Sequence, residues 1–543
     1  MKTTTNKLLR SIISTLTFGG GIGWGLLLVS CLSEHPKGAL EEDQAYTNAT
    51  SLELATVAPI YNYIGGNSDS QGLQGTYRGV YDLNTFTTDE AMLPTRGGDW
   101  YDGGFWQSLY LHRWTASDQP LANTWNYLYK VVMLCNRNMA TLTAHRQLLS
   151  DSRYEADIAE LRALRAMFYF YLMDLWGSVP LVTDSSHDVG SVAQVSRQEL
   201  FRFIETELTA ALPLLTDAHS NLLGSSYGRM TRPVAHFLLA KLYLNTEVYC
   251  PEADAATHQT HYRQCISCCD QLEAAGYKLA SDYADNFAVH NETSVENIFT
   301  IPMDKLLYAN QFKNLFRSRH YSHGSALGFD AENGSAATLS TCAAYGYTGA
   351  ADGSHVSTPD PRWYINFYAD EVYTDDGTAV LLPDGTQLVY QPLEVRLDLT
   401  GSSYEKTAGA RMHKYAIDYN AYADGNLQSN DIVLFRYADV LLMRAEARLR
   451  LGLDGSSDVT AVRARVGEAP IAVTLSSLLE ERLRELMWEG WRRNDLIRYG
   501  LFHQAYDQRP QLADESTAYT TVFPIPSSVI DLNPTGIKQN PGY

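Results

Sequence analysis

The feature that most constrains the fold is a helical periodicity over residues 431–500. Apolar and small residues recur there every three or four positions, so two segments each present one stripe to a core. The first stripe consists of Leu434, Ala438, Leu441, Ala445 and Leu449. The second consists of Leu479, Leu483, Leu486, Met487 and Gly490. We predict that the second helix begins with a capping box of Ser477 and Glu480 and stops at Gly500. Two such helices cannot bury their inner faces alone, which predicts a stack of similar pairs.

The rest of the chain supplies further helices for this stack. Apolar periodicity predicts them near residues 52–64, 121–144, 154–176, 197–216, 230–250 and 260–275. Together with the C-terminal pair they make about eight helices, or four hairpins, as in a helical-repeat solenoid. No fixed repeat period is visible, and a long interruption separates the third pair from the fourth.

The first 30 residues have the character of a targeting segment. Lys2, Lys7 and Arg10 form a basic region, and an apolar run from Phe18 to Ser30 follows it. This run is too short to span a bilayer. It ends in Leu-Val-Ser-Cys, which resembles a bacterial lipobox and predicts lipidation of Cys31. Residues 31–45 then form a polar, acidic tether, and residues 46–543 form the body.

Composition limits the classes of partner. The chain of 543 residues is 45% hydrophobic and 19% charged, which is typical of a globular protein with one large core or two sub-domains. Its net charge of −20 and the lack of a basic stripe argue against nucleic-acid binding. The 35 Tyr and 9 Trp are unusual, and such residues serve recognition surfaces as well as cores.

Two loop-rich insertions, at about 65–118 and 276–430, are the predicted ligand region. The first contains closely spaced glycines, which expose the aromatic and polar residues between them. Sugars are bound by flat aromatic faces together with side chains that hydrogen-bond hydroxyl groups. The candidates of the first insertion are Arg96, Asp99, Trp100, Tyr101 and Trp106. Trp106 fits a plug that holds the loop onto the helices better than a ligand contact, whereas Trp100 fits either role. The second insertion adds Tyr321 and Trp363.

No constellation for catalysis or metal binding is recognisable in the sequence. Glu485 and Glu489 lie one turn apart and, among the neighbouring arginines, resemble a salt-bridged helix face, whereas glycosidase carboxylates flank a bond from opposite sides. Cys265, Cys268 and Cys269 lack a second pair of ligands, so we expect buried thiols or one incidental disulfide. We predict neither catalytic residues, nor a metal site, nor a cofactor.

Five motifs, in order, resemble the SusD/RagB family. They are the Arg-Tyr-Ala-Asp-Val-Leu-Leu-Met-Arg-Ala-Glu-Ala run at 436–447, residues 161–182, Asp360-Pro361-Arg362, residues 480–499, and the C-terminal Phe-Pro-Ile-Pro and Gln-Asn-Pro-Gly-Tyr segments. The resemblance covers residues 31–543. It implies an all-α fold in which four tetratricopeptide-like helix pairs form a scaffold for an irregular, loop-rich ligand-binding region.

The resemblance also implies a function. Proteins of this family are lipoproteins of the outer membrane that face the cell exterior, capture nutrients and cap a SusC-like TonB-dependent transporter. Most bind oligosaccharides, whereas the RagB branch is associated with peptides, and a helical-repeat scaffold without a ligand is a third alternative. The ligand-binding residues of the family are not motif residues, so the resemblance points only to the aromatic loop region.

Overall fold

Helices account for most of the regular structure. The computed structural model describes residues 46–185, 192–308, 310–349, 359–511 and 517–543. Cys31, the predicted targeting segment and the predicted tether lie outside the described residues. None of the helices within the described ranges is both long and apolar enough to cross a membrane.

The helices in chain order are α1 (Ala49–Thr56), α2 (Ala58–Gly65), α3 (Val80–Thr85), α4 (Phe105–Tyr110), α5 (Gln119–Ala144), α6 (Asp151–Trp176), α7 (Arg197–Ala211), α8 (Arg232–Leu244), α9 (Thr246–Tyr249), α10 (Ala255–Ala274), α11 (Asn314–Ser318), α12 (Tyr321–Leu327), α13 (Leu339–Ala344), α14 (Arg362–Asn366), α15 (Tyr437–Arg450), α16 (Ser456–Arg465), α17 (Leu475–Leu486), α18 (Arg492–Arg498) and α19 (Ser527–Leu532). The strands are β1 (Ala91–Met92), β2 (Val179–Pro180), β3 (Gln194–Val195), β4 (Asn297–Ile301), β5 (Ala336–Ala337), β6 (Phe367–Tyr368), β7 (Asp370–Glu371), β8 (Val389–Tyr390), β9 (Arg411–Met412) and β10 (Ile432–Arg436). They pair antiparallel as β1–β5, β2–β3, β4–β10, β6–β9 and β7–β8.

The long helices form a continuous stack. Helix α5 packs on α6, α6 on α7, α7 on α8, α8 on α10, α10 on α15, and α15 on α16 and α17. One large hydrophobic core runs through these helices and includes β4 and β10. The prediction of a mainly helical scaffold, interrupted by a loop-rich insertion before its last helices, is confirmed.

Two predictions about the C-terminal pair are wrong. Residues 432–436 form strand β10, not the start of a helix, so Leu434 belongs to a strand. This strand pairs with β4 and is buried on both faces, and a short apolar run of that kind has no periodicity that separates strand from helix. The capping box is formed by Thr474 and Ser477, whose side chains and amides bond reciprocally at 2.9 and 3.2 Å.

The second predicted helix is also broken, between Leu486 and Arg492. Trp488 and Gly490 have positive φ values of 66° and 74° there. The Trp488 amide donates to the buried carboxyl of Glu90 at 2.5 Å. Tertiary hydrogen bonding therefore overrides helix propensity in this segment. The predicted stop at Gly500 is confirmed, because α18 ends at Arg498 and Gly500 has a φ of 70°.

A buried ion-pair network joins the loop-rich region to the helices. Arg436 donates to Glu485 at 2.5 Å, to Glu489 at 2.8 Å and to Glu296 at 2.8 Å. Arg362, from the Asp-Pro-Arg motif, donates to Glu485 at 2.8 Å. All of these side chains are at most 1% exposed. The motif residues Arg362, Arg436, Glu485 and Glu489 therefore lie in the interior and hold the scaffold together.

Candidate functional site

A tight turn begins the aromatic loop of the first insertion. Arg96 and Asp99 exchange backbone hydrogen bonds of 3.0 and 3.3 Å across Gly97 and Gly98. Gly97 has a φ of 69°, and a Cβ atom there would lie 2.5 Å from Oε1 of Glu405. Trp100 itself has a φ of 63°, an uncommon conformation for a bulky residue. Tertiary contacts must therefore hold this loop in place.

Arg96 supplies three of these contacts. Its guanidinium donates to the carbonyl oxygens of Gly334 at 3.2 Å, Glu405 at 3.1 Å and Ala408 at 2.9 Å. The side chain is fully buried, and burial holds its pKa well below the ordinary value for arginine. Arg96 therefore fastens the aromatic loop onto two segments of the second insertion and is not accessible to a ligand.

Asp99 lies at the surface between two partners from distant parts of the chain. Its Oδ2 accepts a hydrogen bond of 2.7 Å from the Tyr321 hydroxyl and one of 2.9 Å from the Lys406 ammonium. Partial burial acts to raise the pKa of Asp99, but the hydrogen bonds from Lys406 and Tyr321 outweigh it and hold the pKa below its usual value. The structure thus brings Asp99 and Tyr321 together, and the Tyr321 side chain remains 42% exposed.

Trp100 and Tyr101 are the aromatic residues of this surface. Trp100 is half-buried, its indole N–H donates to the Glu332 carbonyl at 2.8 Å, and its ring meets Tyr77 edge to face at 6.1 Å. Tyr101 is 56% exposed. The indole is held in one orientation from behind, whereas the phenol of Tyr101 projects into solvent. We call the surface formed by Asp99, Trp100, Tyr101, Tyr321 and Lys406 the aromatic face.

A polar groove of about 320 Å³ is lined by the residues that follow Tyr101. Arg78 lines it and donates to Asp102 at 2.5 Å and to Asp69 at 2.7 Å. Arg317 lies in the interior nearby and forms a bidentate pair with Asp82 at 2.8 and 2.9 Å. The loop therefore combines aromatic rings with both carboxylate and guanidinium groups.

The structure corrects two more of the candidate residues. Trp106 is 1% exposed, and its ring packs edge to face against Phe86 at 5.7 Å. Trp363 is 2% exposed and stacks on Tyr347 at 4.5 Å. Both indoles belong to the hydrophobic core, so the expectation that they contact a ligand is wrong. The sequence alone does not distinguish an aromatic residue that a loop buries in the core from one that it exposes to solvent.

Sequence reasoning missed Lys406 and Arg78 as parts of this region. Lys406 lies 307 positions from Asp99. No sequence spacing connects such residues, because only the tertiary fold brings the two insertions together. The sole available signal was composition, since Arg78 follows Tyr77 within the same aromatic insertion.

The carboxylates singled out in the sequence are bonded in the interior. Glu485 and Glu489 are buried, and they pair with Arg436 and Lys414 instead of forming a surface helix face. Within the described ranges, no group of three or more Asp, Glu, His or Cys side chains is arranged to hold a metal ion. The six cysteines of the body are free and buried.

Two family descriptions match most of the chain. The "SusD family" matches residues 249–543, and "Starch-binding associating with outer membrane" matches residues 71–244. Among individual relatives, the starch-binding protein SusD of Bacteroides thetaiotaomicron is 24% identical over 504 residues, covering 88% of this chain and 87% of that protein. A SusD-like protein of Bacteroides ovatus is 28% identical over 290 residues, or 51% of this chain and 47% of that protein.

Solved structures share the fold. A laminarin-binding SusD-like protein superposes with a TM-score of 0.69 at 21% identity, covering 92% of this chain and all of that one. Surface glycan-binding protein A of Bacteroides thetaiotaomicron, in complex with laminarihexaose, superposes with a TM-score of 0.69 at 19% identity, covering 91% of this chain and all of that one.

Proposed function

The chain belongs to the SusD family, and we propose that it is a non-catalytic, lipid-anchored protein of the outer membrane that captures oligosaccharides at the cell exterior. In this proposal it passes them to a SusC-like TonB-dependent transporter. The single observation that carries ligand capture is the aromatic face, where the exposed Tyr321 ring lies beside the Asp99–Lys406 pair and Tyr101, two residues along the chain from Asp99, is also exposed.

The chemistry of this face suits a sugar. A pyranose ring offers a C–H face that packs on an aromatic ring and a rim of hydroxyl groups that need donors and acceptors. Asp99 and Lys406 supply those groups within reach of Tyr321. Because Trp100 is fixed by Glu332 and Tyr77, little conformational entropy is lost when a ligand binds.

The relatives support the same ligand class. One is named as a starch-binding protein, and structures with the same fold are named as laminarin-binding and glycan-binding proteins. These names do not describe catalysts. The carboxylates Asp99 and Asp102 are each bonded to a basic side chain, which suits an ionised hydrogen-bond acceptor better than a general acid.

Attachment to the membrane is proposed from the sequence. The lipobox-like Leu-Val-Ser-Cys run would place a lipid on Cys31, and residues 31–45 would tether the body. One matching family description names association with the outer membrane. A tethered protein searches in two dimensions, so a modest affinity for a ligand or transporter is raised by effective concentration.

The test measures binding of maltohexaose and laminarihexaose to the purified protein and to the Tyr101→Ala variant. We expect the variant to lose about 1–3 kcal/mol of binding free energy to whichever sugar binds, because one stacking platform is removed. Its melting temperature should stay unchanged, since the side chain is mostly exposed. Tyr373→Ala is the matched control, because Tyr373 is 46% exposed but lies outside the aromatic face.

Two outcomes would contradict the proposal. Saturable binding of a peptide library with no binding of any glycan would favour a peptide-binding protein of the RagB type. Shortening of the hexasaccharides during prolonged incubation, in proportion to the amount of purified protein, would show catalysis.

A further inference from the structure

A second groove lies beside helix α12, at the opposite end of the helix from Tyr321. Its volume is about 510 Å³, within the range of sites that bind small molecules. Ala326 and Leu327, from the last turn of α12, form one wall, and the hairpin of residues 370–390, which contains β7 and β8, forms another. Tyr419, from the loop between β9 and β10, completes the site. We call it the hairpin groove.

The hairpin groove repeats the tyrosine–carboxylate arrangement of the aromatic face. Tyr419 is 53% exposed, and its hydroxyl donates to Oδ2 of Asp375 at 2.7 Å. Tyr321 donates to Oδ2 of Asp99 over the same distance. In both places the hydrogen bond restrains the phenol while much of its ring stays exposed, and the carboxylate can accept hydrogen bonds from further hydroxyl groups. A sugar therefore meets the same pair of groups at both ends of α12.

The other lining residues indicate a neutral ligand. The Thr374 hydroxyl donates to Asp376 at 2.6 Å, and its oxygen can still accept a hydrogen bond. Leu381 is 54% exposed and adds apolar surface on which the C–H face of a sugar ring can pack. The described residues that line the groove include the carboxylates of Asp375 and Asp376 and no basic side chain. Charge repulsion therefore disfavours an acidic sugar in this groove.

The hairpin is fastened to the start of α12. The hydroxyl of Tyr390, in β8, accepts a hydrogen bond of 2.9 Å from the His320 amide and lies 3.1 Å from Nδ1 of His323. Tyr390 also belongs to a small hydrophobic core within the hairpin, together with Val372, Val380 and Leu388. The hairpin groove and the aromatic face are thus supported by the same helix, so their separation is set by the fold.

The exposed face of α12 connects the two sites. Tyr321 and Ser325 lie on the same face because they are four residues apart. Ser325 and Ala326 are both exposed and small, so neither projects a bulky side chain across the path. The seven residues of α12 span about 10 Å, and an extended hexasaccharide is longer than that. One sugar chain can therefore reach from Tyr321 to the hairpin groove.

We propose that the hairpin groove is a second subsite for a neutral oligosaccharide, which extends from the aromatic face along α12 to Tyr419. The inference rests on the proposed function, which supplies oligosaccharides as the ligand class. It adds a preference for chain length and for neutral sugar units. A disaccharide contacts one site at a time, whereas a hexasaccharide contacts both, and two linked contacts raise the affinity for the longer chain.

The experiment measures how affinity depends on the length of the oligosaccharide. The wild-type protein is first screened on hexasaccharides that include maltohexaose, laminarihexaose and hexagalacturonate. Calorimetry then compares the hexasaccharide that binds with the disaccharide of the same linkage, for the wild type and for Tyr419→Ala. Tyr373→Ala is the matched control, because Tyr373 is 46% exposed, its hydroxyl donates to Glu371 at 2.6 Å, and its side chain is not among those that line the groove. Melting temperatures check that both variants are folded.

We expect Tyr419→Ala to lower the ratio of hexasaccharide to disaccharide affinity by about tenfold, because only the longer chain reaches the groove from the aromatic face. Tyr373→Ala should keep the wild-type ratio. An unchanged ratio in Tyr419→Ala, or an equal fall in Tyr373→Ala, would overturn this inference, while weaker binding by Tyr101→Ala would still support the proposed function. Binding of hexagalacturonate alone would also overturn the inference. A wild-type protein that binds no hexasaccharide would refute the proposed function and this inference with it.

Discussion

At the scale of single residues, Glu90 couples the stability of the fold to pH. Its carboxyl group is buried, and one of its oxygens has no hydrogen-bond partner among the described residues. Burial raises its pKa from 4.5 to about 8, although the Trp488 amide and the charges of Arg492 and Lys414 act in the opposite direction. Between these pH values the folded protein holds a proton that the unfolded chain has released. The contribution of this bound proton to the stability of the folded protein is therefore complete below pH 4.5 and is lost as the pH rises through 8.

The variant Glu90→Gln has a neutral side chain at every pH, so its free energy of unfolding should not show this loss as the pH rises. We expect the free energy of unfolding of the wild type to fall relative to the variant by up to about 1.4 kcal/mol per pH unit between pH 5 and 8. Chemical denaturation at several pH values measures this difference. Glu480→Gln is the control, because that side chain is 62% exposed and its replacement should give a pH-independent difference. If the free energy of unfolding depended on pH in the same way for the wild type and for Glu90→Gln, the raised pKa of Glu90 would be contradicted.

At the scale of elements, Gly334 sets the position of the aromatic loop. A Cβ atom at residue 334 would lie 2.8 Å from Cε2 of Trp100 and 3.0 Å from the Arg317 carbonyl oxygen. We expect Gly334→Ala to displace the indole and weaken oligosaccharide binding by about 1–3 kcal/mol, comparable to the loss of a stacking contact. Gly98→Ala, in the same loop, has no atom within 4 Å of its new Cβ and should bind normally. Calorimetric titration of both variants with the oligosaccharide measures this difference. Equal affinities of Gly334→Ala and Gly98→Ala would show that Trp100 does not contact the ligand.

The ion-pair network gives a second prediction at this scale. Arg436→Met removes the cation shared by Glu296, Glu485 and Glu489 and leaves buried carboxylates with fewer partners. We expect a loss of about 3–5 kcal/mol in the free energy of unfolding. Arg146→Met breaks an exposed pair with Asp151 and should cost less than about 1 kcal/mol. A similar small loss for both variants in denaturant unfolding would argue against a structural role for the network.

Elements with long periodic stripes were predictable from the sequence, and those determined by distant contacts were not. Helices α5 and α6 follow their apolar repeats to within three residues of the prediction. The break after Leu486 was missed because it depends on Glu90, about 400 positions away. The same limit applies to the aromatic face. Sequence composition located the loop, but the burial of Arg96, Trp106 and Trp363 and the exposure of Tyr101 follow from packing.

At the scale of the whole molecule, the proposed anchor makes localisation depend on one thiol. Lipidation forms a thioether on cysteine, so we expect Cys31→Ala to leave the membrane fraction. Ser33→Ala, which keeps the thiol, should remain there. Fractionation followed by a high-salt wash measures the distribution. A Cys31→Ala protein that stays with the membranes after the wash would refute lipid anchoring.

The way Arg96 holds the aromatic loop has a consequence for protein engineering. Its guanidinium bonds to the main-chain oxygens of Gly334, Glu405 and Ala408, not to their side chains. Replacing Glu405 therefore leaves the same oxygen available, whereas Gly334 and the fully buried Ala408 are restricted by space. A library that varies residues 101, 321, 405 and 406 would change the chemistry of the surface while its backbone support persists. Such a library would make the molecule a starting point for reagents that distinguish one glycan from another.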